Sequence, residues 1–250
     1  MRKFALVLPV ILFALLLWLP LEAQDADPGI GGDYRQTLEK LQLQADSGIK
    51  NADLYYNIGV CYYHLGQTGA AVLWFLRAQN LNSAHKLAKE NLAYVNSLIP
   101  REAPESPTPY LVRLFLDIYD FFSLNRLAVI TLALALLASL CLHWLLHWPP
   151  GKERGLPVLI LSVTGVLFLA FFGALLLKRH RFVNNRKAVV ISQEAEVFAT
   201  PSLQRRLDSL PEGYIIEVRK ARESLANVIL SDGTNCWVEE ANIARVVPGS

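Results

Sequence analysis

The sequence predicts a multidomain membrane protein: an α-helical domain of helix-turn-helix units, a two-helix transmembrane hairpin, and a small all-β barrel. Three observations carry this expectation. The apolar residues, 53% of the chain, are gathered into blocks instead of being spread as in an ordinary soluble protein. Two of these blocks, residues 127–148 and 156–177, contain no Asp, Glu, Lys or Arg. At 1.5 Å per residue each is long enough to cross roughly 30 Å of hydrocarbon. The apolar period is helical in residues 32–98 and becomes strict alternation in residues 187–247.

The chain begins with Arg2 and Lys3, a leucine-rich run over residues 4–19, Pro20, and then Leu21-Glu22-Ala23. A cationic head, an apolar middle and a small residue describe a signal peptide over residues 1–23, cut before Gln24. Leu21 is an indifferent residue three positions before that cut, so an uncleaved anchor stays open as the alternative. Either way, the chain from Gln24 onward is carried across the membrane.

Residues 52–85 pair a first helix bearing Tyr55, Ile58, Gly59 and Tyr62 with a second bearing Ala71, Phe75 and Ala78. The glycine and alanines let two helix backbones approach, and the rings fill the space between them. This spacing resembles one tetratricopeptide (TPR) repeat over about 34 residues. Ser83 stands where that pattern has a helix-ending proline. Moving on by one repeat length aligns Asn57-Ile58-Gly59 with Asn91-Leu92-Ala93, predicting another first-type helix over 85–97. Leu38 and Leu41 suit a preceding second-type helix. One repeat cannot bury its own apolar faces, so a four-helix domain over 32–98 is expected, stacked across Tyr55, Tyr62, Phe75 and Leu92. Such repeats bind proteins and perform no chemistry. First-helix residues pointing away from the packing face, Tyr56, Tyr63, His64, Glu90, Asn91 and Tyr94, are the candidate partner-binding set; the alternative is a solvated surface without a ligand.

Residues 99–109 hold Pro100, Pro104, Pro107 and Pro109 and predict an extended linker. Residues 110–122 place Leu111, Leu114, Phe115, Ile118, Phe121 and Phe122 at helical spacing, against Arg113, Asp117 and Asp120. That is an amphipathic juxtamembrane helix, lying on the bilayer or docking a partner. Ser123 caps the first span. Trp144, Trp148 and Pro149-Pro150 mark one interface. Residues 149–155 are too short for a domain, so the spans form a hairpin with both long soluble parts on one side. Export of the helical domain leaves Lys152 and Arg154 in the cytoplasm. Lys178, Arg179, His180, Arg181, Arg186 and Lys187 then lie outside, against the positive-inside tendency. They sit on anionic headgroups or serve as a solvated stop.

In residues 187–247, β-rich runs at 188–191, 195–198, 214–219, 226–230 and 237–238 are broken at Pro201, Pro211-Glu212-Gly213 and Asp232-Gly233. Five short strands suggest a small barrel, with Trp237 returning the chain to the core. Val197 through Pro201-Ser202, the Leu210, Glu212, Gly213 turn, and Asp232-Gly233-Thr234-Asn235-Cys236-Trp237-Val238 resemble the bacterial SH3-like domain. Cys236 stands where that family usually has glycine. Some of its members bind cell-wall peptide.

Cys61, Cys141 and Cys236 fall in three separate units, so no disulfide framework is expected. Cys61 falls at a packing position of its helix. His143 and His147 lie one helical turn apart, with no third ligand nearby in sequence. There is no phosphate-cradling glycine loop, nucleophile elbow, HExxH or CxxC, so no catalytic residue, metal or cofactor is expected. A net charge of +2 with no strongly basic soluble block argues against nucleic acid.

The order of units resembles the BatE-like TPR membrane proteins of the Bat (Bacteroides aerotolerance) operons. The closest local match is Leu54-Tyr55-Tyr56-Asn57-Ile58-Gly59 through Ala78, then Asn91-Leu92. The resemblance implies a non-enzymatic scaffold in the bacterial inner membrane, with its soluble domains in the periplasm. It implies partners among von Willebrand A-domain Bat-type membrane proteins and a MoxR-type ATPase, besides the lipid bilayer. The runner-up expectation is peptidoglycan binding or sensing through the SH3-like domain.

Overall fold

The computed structural model describes residues 33–100, 109–110, 122–148, 153–202, 205–222 and 224–247. The expected signal peptide, most of the linker and nearly all of the amphipathic segment lie outside the described residues.

Four helices, α1 (Tyr34–Asp46), α2 (Ala52–His64), α3 (Thr68–Leu81) and α4 (Lys86–Leu98), form a bundle in which each packs on the next. Their starts are set by local chemistry. The Asp33 carboxylate accepts from the backbone N–H of Arg35 and Gln36, and the Asn51 side chain accepts from that of Asp53. His85 Nδ1 accepts from the Ala88 N–H at 3.1 Å, which leaves the ring proton on Nε2, 3.1 Å from Asp53 Oδ1. Gly66, at φ +77°, turns the chain from α2 into α3. No proline is needed to end α3, because Asn82 turns the chain itself: its side chain accepts from Ala84 N–H and its carbonyl from His85 N–H. Ile58, Gly59, Ala71, Phe75 and Ala78 are buried between the helices, while Tyr55 and Tyr62 are half-buried. Tyr55 meets Trp74 edge-on at 5.0 Å, and the Tyr62 hydroxyl accepts from Gln42 of α1 at 2.6 Å.

Helices α5 (Leu124–Leu146) and α6 (Gly155–Val183) pack on each other as a hairpin, and both are long and apolar enough to cross a membrane. Only 6% of each apolar window is buried. A core helix of a soluble protein would be mostly buried, so the exposed leucines call for an apolar surrounding, and the pair supports a membrane location. Ser123 caps α5 by accepting from Arg126 N–H. Helix α6 runs past Leu177 to Val183, so the basic residues that follow the apolar run remain helical.

The β unit corrects the expected barrel. Its strands are β1 (Lys187–Val190), β2 (Glu194–Phe198), β3 (Arg206–Pro211), β4 (Ile215–Arg222), β5 (Leu225–Ile229), β6 (Asn235–Glu239) and β7 (Ile243–Arg245). They form one open antiparallel sheet, ordered β3-β2-β6-β5-β4-β1-β7. Closure would require β3 to pair with β7; instead each edge is managed separately. Arg77 of α3 donates to the carbonyls of Arg245 and Val246 beside β7, and Arg206 on β3 pairs with Glu196 at 2.7 Å. The SH3-like barrel is therefore replaced by an uncurled sheet whose one edge leans on the helices. Trp237 also departs from expectation. Strand alternation turns Cys236 and Val238 into the sheet core and leaves Trp237 half-buried on the other face.

β1 joins the two soluble units. Ala188 and Val190, with Ile216 and Ile243, face the sheet core; Val189, beside Ile215 and Ala244, faces the helices. Val189 and Val246 thereby enter one apolar cluster with Val72, Phe75, Leu76 and Val95. Ile99, expected in the linker, is buried in the same cluster.

A Cβ at Gly59 would lie 2.7 Å from two ring carbons of the buried Phe75. Gly59→Ala gains about 1 kcal/mol of helix propensity, but overpacking costs about 1–3 kcal/mol. The expected outcome is net destabilisation of the helical unit, read as a lowered denaturation midpoint of the detergent-solubilised chain.

Candidate functional site

The open side of the helical bundle is aromatic. Tyr34 of α1 stacks on His64 of α2 with ring centroids 4.2 Å apart and planes at 11°. His64 meets Tyr63 edge-on at 5.6 Å, and Tyr63 meets Tyr94 of α4 edge-on at 6.1 Å. Three helices thus supply a continuous ladder of four rings, with Tyr94 55% exposed at one end. A hydrogen bond to Tyr94 is the main cause that lifts the Tyr63 phenol above its ordinary range, so it stays neutral at physiological pH. A rigid face of rings and hydroxyls suits apolar or cationic side chains of a peptide or helix.

The six candidate residues divide into three groups. Tyr63, His64 and Tyr94 belong to the ladder. Tyr56 and Asn91 are tied together, the amide donating to the phenol oxygen at 2.9 Å, while Tyr56 also packs near Phe75 and His85. These two position α4 against α2. Glu90 stands apart, in an exposed i,i+4 pair with Lys86 at 3.8 Å. Tyr34 is the ladder residue that sequence reasoning missed. Its only signal was an aromatic just after the Asp33 cap, in a helix identified by its leucines.

The other side of the bundle is consumed by the sheet. Helix α3 has no side-chain cap of its own. Glu212, in the turn after β3, reaches across and accepts from the Gly69 N–H at 2.7 Å, placing a carboxylate at the positive end of α3. A Cβ at Gly69 would lie 2.6 Å from the Val190 carbonyl oxygen, so only glycine permits this approach of helix to strand. Gly213, at φ +84°, completes the turn, and its N–H donates to the same Val190 oxygen at 2.8 Å. Further along α3, Arg77 lies 4.7 Å from the Trp74 ring and reaches β7. Burial lowers its pKa, partly offset by Tyr55 and Tyr62, yet an arginine so placed stays charged. Asn80 accepts from Asn185 at 2.9 Å, tying α3 to the segment between α6 and β1.

Among the described residues, no group of three or more His, Cys, Asp or Glu could hold a metal ion. The His143 and His147 rings lie 4.3 Å apart, and the His147 Nδ1 is 3.0 Å from the His143 carbonyl. Cys61 and Cys236 are free and buried; burial raises both thiols, that of Cys236 to about 11. Neither is a thiolate at neutral pH. At the β5–β6 turn, hydrogen bonds from Thr234 hold the Asp232 carboxyl below its usual range.

No family model, curated protein or solved structure matches this chain.

Glu212→Ala should cost about 1 kcal/mol through loss of the cap to α3, and Glu212→Gln less, because an amide oxygen still accepts. Gly69→Ala should cost more than either, since its contact is with backbone that cannot rotate away. Denaturation midpoints give the ranking. Faster hydrogen exchange at Val189 and Val190 in Gly69→Ala would locate the damage at the junction of helix and strand.

Proposed function

We propose that the chain is a membrane-anchored scaffold whose helical unit holds a protein partner, while the sheet and the hairpin fix that unit beside the bilayer. The observation that carries this reading is the asymmetry of the bundle. One side is closed by β1 and β7, while the aromatic ladder leaves His64 and Tyr94 exposed beside the half-buried Tyr34 and Tyr63. Exposed aromatic groups held rigid by their neighbours lose little entropy when a partner covers them, and tyrosine is enriched at the centres of protein interfaces.

The partner class follows from the resemblance to the BatE-like TPR proteins: membrane proteins with von Willebrand A domains, in the bacterial inner membrane, meeting this unit on the periplasmic side. Peptidoglycan binding drew its support from the barrel resemblance, and the open sheet removes that support.

A photo-crosslinking residue at Tyr63 should capture a von Willebrand A-domain membrane protein in cells. Tyr94→Ala should abolish capture while leaving the amount of chain in the membrane unchanged. A probe at Leu43, exposed on α1, serves as the control. Equal capture from positions 43 and 63, or a full yield from Tyr94→Ala, would refute the proposed face.

A further inference from the structure

The bundle, the hairpin and the sheet meet around a cleft of about 440 Å³. Among the described residues its charged lining consists of Lys89, Lys178, Arg181, Arg186, Lys187 and Glu217, of which Arg186 and Lys187 are exposed. The cations come from α4, the end of α6, and the passage into β1, so only the folded arrangement gathers them. Leu124, the first residue of α5, and Leu76 and Leu81 of α3 add apolar wall.

The height of the cleft decides what can enter it. Lys178 follows directly on the apolar run of α6, and Leu124 begins α5 just before its apolar run starts at Leu127, so the cleft lies where both helices leave the hydrocarbon. Lys178 is 8% exposed and its ammonium donates to the Phe122 carbonyl, which ties the two helix ends together at this level. Arg186 and Lys187 are exposed at the cleft's other side. A small anion from solution would meet the charge but not the apolar wall. A phospholipid meets both, with its phosphate among the cations and its chains descending beside Leu124 along the exposed leucines of the hairpin.

We propose that this cleft binds the headgroup phosphate of an anionic phospholipid. Arg186 supplies a two-pronged donor to the phosphate oxygens, Lys187 a point charge, and Lys178 a fixed positive floor. The lipid would add a bridge to units that already meet through α3, β1 and β7. The inference rests on α5 and α6 lying in a bilayer. It does not depend on any protein partner, so failure of the crosslinking experiment leaves it standing.

The test uses the full-length chain in detergent and a fluorescent short-chain phosphatidylglycerol, with the phosphatidylcholine analogue as the neutral probe. Saturable binding of the anionic probe is expected, with the neutral analogue much weaker. The R186Q/K187Q double variant should weaken binding roughly tenfold or more, as loss of charge-assisted hydrogen bonds implies. Arg179→Gln removes an exposed cation of α6 that does not line the cleft, and should change little. Three outcomes would overturn the proposal: no saturable binding, equal weakening by Arg179→Gln (a diffuse charge effect), or displacement by inorganic phosphate as readily as by unlabelled lipid. The last would assign the cleft to a soluble phosphate.

Discussion

Gly69 brings the first turn of α3 against the last residue of β1, closer than any side chain would allow, and much of the molecule's organisation follows from that approach. The Val190 carbonyl also receives the Gly213 N–H, so strand, turn and helix converge on one oxygen. Glu212 completes the junction by capping α3 from the sheet side. Behind this polar point lies the apolar seam of Val72, Leu76, Val189 and Val246, in which each fully buried side chain contributes about 1.5–3 kcal/mol. The polar contacts set the register, and the apolar area supplies most of the free energy.

The seam explains why the sheet stays open. A strand edge exposes unpaired backbone groups, and a small sheet can remove that liability by curling until its edges meet. Here the β7 side has another partner, because Arg77 places its guanidinium over the Arg245 and Val246 carbonyls. The bundle gains in turn. The outer side of α3 is covered by Val189 of β1 and by Val246 just after β7. Each unit covers the other's exposed surface, and helix packing plus strand alternation at β1 suffices to do so.

The helix pairing was legible because it depends on residues close in sequence. Gly59 against Phe75, and the small residues Ala71 and Ala78, announce a close helix crossing wherever they occur at that spacing. The two long apolar helices were legible from length and composition. The sheet was read less well. β3 is polar along most of its length, and β7 has three residues after a short 3₁₀ turn, so neither shows the alternation that marks a strand. Without them, five strands looked like a barrel. The junction left no local trace. Gly69 reads as an unremarkable helix-start glycine and Glu212 as a turn residue, and their meaning lies in a contact across 143 positions. The aromatic ladder was half legible: Tyr63, His64 and Tyr94 sit on faces a repeat leaves open, whereas Tyr34 joins only once α1 has packed.

The basic residues that follow the apolar run of α6 can be weighed against the tendency they violate. The positive-inside rule counts Lys and Arg near the ends of spans without regard to what they touch, and treats each as a solvated charge that resists translocation. Lys178 is not in that class, being nearly buried with its ammonium on the Phe122 carbonyl. Lys178, Arg181, Arg186 and Lys187 line a cleft built by all three units. Charges recruited into a tertiary site are held by the fold and carry less information about sidedness than charges in a bare loop. The contact of α3 with β1 imposes the firmer constraint. It requires both soluble units to occupy the same water phase, which a hairpin of two spans satisfies and a single span would not.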